Sequence, residues 1–155
     1  MKNGGNVLFI PLGVNEEGIW NRLISRHSCD KKFEKQILLD ELDDVSIRRE
    51  EHYQEVYKDF VNNFADRLII LAEKHPIVSH HFLRTYIVGA EREFLERTGK
   101  GIDLIVIDNF DYMKLYENSR IITGRDRVIT EYYKFLSSQS IPVLVTMCAN
   151  SKRTF

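Results

Sequence analysis

The sequence predicts an α/β domain: a mainly parallel sheet with helices on both faces. Three observations predict it. Short, near-continuous apolar runs recur along the chain, as expected of strands buried on both sides. The segments between them carry apolar residues at helical spacing. The 155 residues, 43% of them apolar, suffice for one domain with a sizeable core, without an internal repeat or low-complexity tract.

The first strand is expected over residues 7–12, VLFIPL, after the turn signal Gly4-Gly5-Asn6 and with Pro11 marking its end. Asn15 then caps a helix whose first turn holds Glu16 and Glu17 and whose apolar face is Ile19, Trp20, Leu23 and Ile24. From Cys29 to Asp66 the chain is charged and free of Pro and Gly, and Tyr53, Val56, Tyr57, Phe60, Val61 and Phe64 recur at helical spacing. This middle region is read as helical. Residues 67–71, RLIIL, make a second short strand. His75-Pro76 breaks the chain before a helix bearing Leu83, Tyr86, Ile87, Ala90 and Phe94, which Gly99 and Gly101 stop. Residues 103–108 form the third strand, residues 128–136 a further helix, and residues 142–147, PVLVTM, the fourth strand.

With 22 basic and 23 acidic residues the formal charge is -1, so bulk electrostatics predict neither a polyanion partner nor an anionic membrane surface. Cys29 and Cys148 are far apart and belong to no CxxC or CxxH pair, so no zinc or redox motif appears. The apolar run at the N-terminus is too short for a signal peptide core or a membrane span. The expectation is a cytoplasmic chain that makes no membrane contact.

In a sheet of this kind ligands gather at the carboxyl ends of the strands. Asp108, at the end of the apolar run LIVID, is therefore the leading site candidate. An aspartate so placed holds Mg²⁺ in P-loop NTPases, although a strand-end carboxylate also serves as a plain turn cap. The phosphate cradle that would accompany it, GxxxxGK[ST], is absent from these residues. Gly99-Lys100 is the one Gly-Lys pair, and it precedes a strand instead of opening a helix.

The remaining candidates are weaker. Adjacent His80 and His81 would point about 100° apart on a helix, which suits solvation or capping better than metal binding. Ser25, His27 and Ser28 lack the context that activates a nucleophile. Lys152 and Arg153, and Arg125 and Arg127 in the run RIITGRDR, are basic enough to meet a phosphate or an acidic partner, yet read more simply as a solvated tail and a charged helix start.

Three separated segments, in order, resemble the ATPase domain of DnaB-type replicative helicases, a RecA-like P-loop NTPase core. NVLFIPLGVNEEGIWNRLIS (residues 6–25) is similar to the family's strand and helix after the P-loop helix, with Arg22-Leu23 at its RL pair. GIDLIVIDNFDYM (residues 101–113) is similar to GIDLIVIDYLQLM, which puts Asp108 at the Walker B aspartate. IPVLVTMCAN (residues 141–150) resembles VPVIALSQLN, the segment of the sensor glutamine.

The resemblance implies a cytoplasmic DNA-replication ATPase that binds ATP and Mg²⁺, with DNA as partner. Asp108 would be the metal ligand, Asp108 and Cys148 the catalytic positions, and Asp108 and Asn150 the nucleotide-binding ones. Several polar functions are changed. Leu12-Gly13-Val14 replaces the LEM whose glutamate activates water, leaving Glu16 or Glu17 as the only acids nearby. Cys148 stands for the sensor glutamine, and Asp111 for the glutamine after the Walker B aspartate.

By the same resemblance residues 1–155 correspond to a partial domain, without the P-loop strand and the C-terminal part. The chain is then expected to be inactive alone and to form a homo-oligomer, or to take the missing elements from a partner protein. Two other readings stand beside this one. The first is a degenerate RecA-like unit that binds a helicase or another protein without hydrolysing ATP. The second is a receiver-like phosphoacceptor module, which the missing acidic pair after the first strand disfavours.

Overall fold

The computed structural model describes residues 4–72, 80–113, 115–117, 120–122 and 125–147. The order is β1 (Val7–Pro11), α1 (Glu16–Ser28), α2 (Glu51–Phe64), β2 (Leu68–Ile70), α3 (His80–Thr98), β3 (Leu104–Asp108), β4 (Leu115–Glu117), β5 (Arg120–Ile122), α4 (Arg125–Ser137) and β6 (Val143–Val145). Four strands form one parallel sheet in the order β2-β1-β3-β6. Val7 lies opposite both Leu68 and Leu104, Pro11 opposite Asp108, and Val106 opposite Leu144.

Alternation along β1 divides the core in two. Leu8 and Ile10, with Ile105 and Ile107 of β3, are fully buried against Leu83, Ile87 and Phe94 of α3 and Val128, Tyr132 and Leu136 of α4. Each such aliphatic side chain contributes about 1.5–3 kcal/mol by leaving water. Tyr132 lies inside this core, and burial pushes its phenol pKa up. On the other face Val7, Phe9 and Ile70 pack with Ile24 of α1 and with Val56, Phe60 and Phe64 of α2. That second core stops short of the sheet's far side. Leu104 and Val106 stay half-buried and Leu144 is 54% exposed, although their register puts them on the same face as Val7 and Phe9.

The helix ends follow from local chemistry. The Asn15 side chain accepts from the Gly18 N–H at 2.8 Å, and Glu16 and Glu17 face the positive end of the α1 dipole while Arg26 and His27 face its negative end. Gly99 ends α3 with φ +70, a conformation that costs little without a Cβ. The chain is then tied down at the amino end of the sheet. Asn6 is wholly buried: its Nδ2 reaches Thr98 Oγ1 at 2.8 Å and the carbonyls of Lys100 and Gly101 at 3.0 and 2.9 Å. Its backbone N–H donates to Asp103 at 2.7 Å.

Two sequence expectations need correction. Only residues 51–64 of the middle region are α-helix. Between Cys29 and Glu50 the chain is irregular, with 3-10 turns at Glu41–Asp43 and Val45–Arg49. Side chains there compete for the backbone: Asp40 accepts from Glu41 N, Asp44 from Ser46 N, and Ser28 Oγ from Ile37 N. The second correction concerns RIITGRDR. Arg120–Ile122 is β5, paired antiparallel with β4, whereas Arg125 and Arg127 do form the charged start of a helix, α4. Branched Ile121 and Ile122 favour strand, and Asn118-Ser119 are turn-forming residue types. No helix among the described residues is long and apolar enough to cross a membrane.

Candidate functional site

The carboxyl edge of the sheet gathers Asp108, the loop after β1 and the residues after β6. Asp108 ends β3 at the centre of that edge, where its own carbonyl accepts from the Leu12 N–H. Thr146 follows β6. Its N–H donates to the Ile107 carbonyl at 3.0 Å, its carbonyl accepts from the Phe110 N–H at 2.9 Å, and its hydroxyl donates to Asp108 Oδ1. One carboxylate oxygen is thus turned toward β6 and braced there.

A 3-10 turn, Phe110–Tyr112, closes the edge on the β1 side. Phe110 and Met113 are buried in the α3/α4 core, Phe110 standing edge-on to Tyr132 at 5.6 Å between ring centroids. With both ends of the turn so anchored, Tyr112 is left 53% exposed and lies over Gly13. Gly13 has φ +83, and a Cβ built on it would stand 3.1 Å from the Tyr112 ring. The space that a residue-13 side chain would use is therefore filled.

Glu16 and Glu17, the acids nearest the missing one in sequence, both have partners of their own. Glu16 accepts from the Trp20 indole N–H one turn along α1 at 3.2 Å, and Glu17 pairs with Arg48 in the 3-10 turn before α2. Gly99-Lys100-Gly101 lies at the opposite, amino end of β3, where two of its carbonyls bind Asn6. It is no phosphate cradle for Asp108. The α1 N-terminus does reach the carboxyl edge, but the Asn15 side chain and two carboxylates already serve its N–H groups and dipole, which disfavours an anion.

Magnesium takes six oxygen ligands and leans on carboxylates plus substrate phosphates. Among the described residues no group of three or more His, Cys, Asp or Glu is placed to hold a metal ion. Asp108 with Thr146 supplies one carboxylate and no phosphate donors, so the described residues alone do not fit a magnesium nucleotide. Cys148 and Asn150, and the basic tail Lys152 and Arg153, lie outside the described residues, as does His75-Pro76. The side chains of His80, His81 and Asp111 also lie outside them.

The serines near His27 are structural. Ser25 Oγ donates to the Ile37 carbonyl and Ser28 Oγ to the Ser25 carbonyl, at 2.8 and 2.7 Å. His27 Nε2 binds Asp59 at 2.7 Å, and Lys32 meets the same oxygen. The Lys32 ammonium, with a smaller contribution from His27, holds the Asp59 carboxyl below its usual range. Cys29 is exposed.

Sequence reasoning singled out Asp108 and Gly13 and passed over their neighbours Thr146 and Tyr112. Thr146 becomes visible only once β6 is paired in register with β3. Tyr112 becomes visible only once Phe110 and Met113 are recognised as anchors of a turn.

No protein-family model matches this sequence, and no curated protein matches it. Among solved structures, that of a DnaB-like replicative helicase, determined for its interactions with primase, matches with a TM-score of 0.65 at 11% sequence identity. The match covers 94% of this chain and 32% of that one, so the chain spans about a third of its solved neighbour. The likeness establishes a RecA-like α/β fold.

Proposed function

We propose that this chain is a RecA-like unit of helicase type that does not hydrolyse ATP and acts by binding a protein partner. The observation that carries this is the Gly13–Tyr112 contact. At the position where the resembling helicases keep a water-activating glutamate, this chain has a glycine, and an aromatic ring occupies the room. The fold likeness to a DnaB-like helicase supports the lineage, and the helicase itself is the partner type that follows from it.

Calorimetry with Mg-ATP, alongside a phosphate-release assay, tests the proposal. We expect no saturable heat below millimolar nucleotide, no released phosphate, and the same result for Asp108→Ala. Micromolar affinity that Asp108→Ala abolishes would overturn it. Such a result would favour the second reading, in which Asp108, braced by Thr146 at the strand end, anchors Mg²⁺ of an ATP shared between subunits during DNA unwinding.

A further inference from the structure

A groove of about 710 Å³ runs between α1 and the start of α2, away from Asp108. Trp20, Tyr53 and Tyr57 supply its aromatic walls and Glu16 and Glu17 its charge, with Arg48 on one side. Tyr57 stacks on Tyr53 at 6.0 Å and 13° and is 41% exposed at the rim. Trp20 is fixed edge-on to Phe60 and through its bond to Glu16. These walls are held by packing and need no rearrangement to receive a ligand.

The surroundings select the ligand's sign. From Asp40 to Glu55 the chain has seven carboxylates against two arginines, while its overall charge is only -1. Asp43, Asp44, Glu50, Glu51 and Glu55 are exposed there. Such a field repels phosphate polymers and anionic lipid and attracts cations. Aromatic faces and carboxylates in one groove bind a guanidinium or ammonium through its face and its hydrogens together. Arg48 demonstrates the fit: its guanidinium already pairs with Glu17 at the groove wall, while its Nε is buried without a hydrogen-bond partner.

We propose that this groove docks a basic segment of a partner protein, with an arginine or lysine side chain lying against Trp20 and Tyr57 and pairing with Glu16 and Glu17. This deepens the partner-binding reading, on which it rests, by naming one surface. Its readout is separate from the nucleotide heats that test that reading.

Trp20 is the single tryptophan, so its emission reports the groove directly. Titration with an acetylated hexa-arginine peptide at low salt is expected to change that emission saturably. Tyr57→Ala should weaken binding at least fivefold, as should Glu16→Gln with Glu17→Gln, and Glu96→Gln on α3 should leave it unchanged. Exposed Tyr57 keeps the test valid if loss of the Arg48 pair loosens the fold. An unchanged Trp20 signal, equal affinity in Tyr57→Ala, or a Tyr57-dependent response to a single-stranded oligonucleotide instead would each overturn the proposal.

Discussion

Gly13 carries two constraints at once, a left-handed backbone and a ring 3.1 Å from where a Cβ would stand. The first costs a non-glycine residue about 1–2 kcal/mol, and the second adds to it while Tyr112 is present. Gly13→Ala is therefore expected to lower stability by about 1–3 kcal/mol in urea unfolding. In a Tyr112→Ala background the loss should shrink to the backbone part, a coupling that a double-mutant cycle reads directly. Equal losses in both backgrounds would show that the ring is not in the way. Sequence made Gly13 conspicuous as a departure from a glutamate pattern, but its reason for being glycine lies almost a hundred residues away and only the folded chain shows it.

Between residues and the sheet stand the elements, and the segment linking α1 to α2 is held down mainly by side chains. Phe33 packs edge-on to His27 at 5.5 Å, and Lys32 and His27 share the Asp59 carboxylate of α2. Because the folded Asp59 has its pKa lowered, its contribution is fully present above the unfolded value of about 3.9 and is lost as pH falls through the folded value. Asp59→Asn should thus be less stable than the parent at pH 7, by about 0.5–1 kcal/mol for a half-exposed pair. That difference should begin to shrink as pH falls below the unfolded value of about 3.9 and close only below the lowered folded value, where the parent carboxylate is itself protonated. Urea midpoints of both proteins across that range decide it, and a gap that persists in acid would mean the amide disturbs packing instead. This segment was the least legible part of the sequence. Its charged, glycine-free composition suits a helix, and only the bonds from Asp40, Asp44 and Ser28 to backbone amides explain why it is not one. The β4–β5 hairpin escaped for a different reason: each strand is three residues long, below what periodicity resolves.

For the whole molecule, the four apolar runs gave the parallel sheet and its two covering layers, whereas strand order depends on crossovers that no local pattern encodes. β6 ends that order, and among the described residues no strand pairs with its outer edge. Leu144 is 54% exposed there, opposite Val106, which the α1/α2 core leaves half-covered along with Leu104. An edge of this kind invites pairing with another chain. Sedimentation is expected to show concentration-dependent self-association that Leu144→Lys suppresses, and a monomer at every concentration would mean that the edge is closed. The position of β1 has a consequence for biosynthesis. It is an inner strand whose neighbours, β2 and β3, begin at Leu68 and Leu104. At ribosomal speeds of about 5–20 residues per second, β1 is synthesised several seconds before β2 and waits longer still for β3. Through that interval VLFIP is an unpaired apolar strand on a nascent chain, the form in which trigger-type chaperones would meet it and in which premature pairing between neighbours on a polysome would begin.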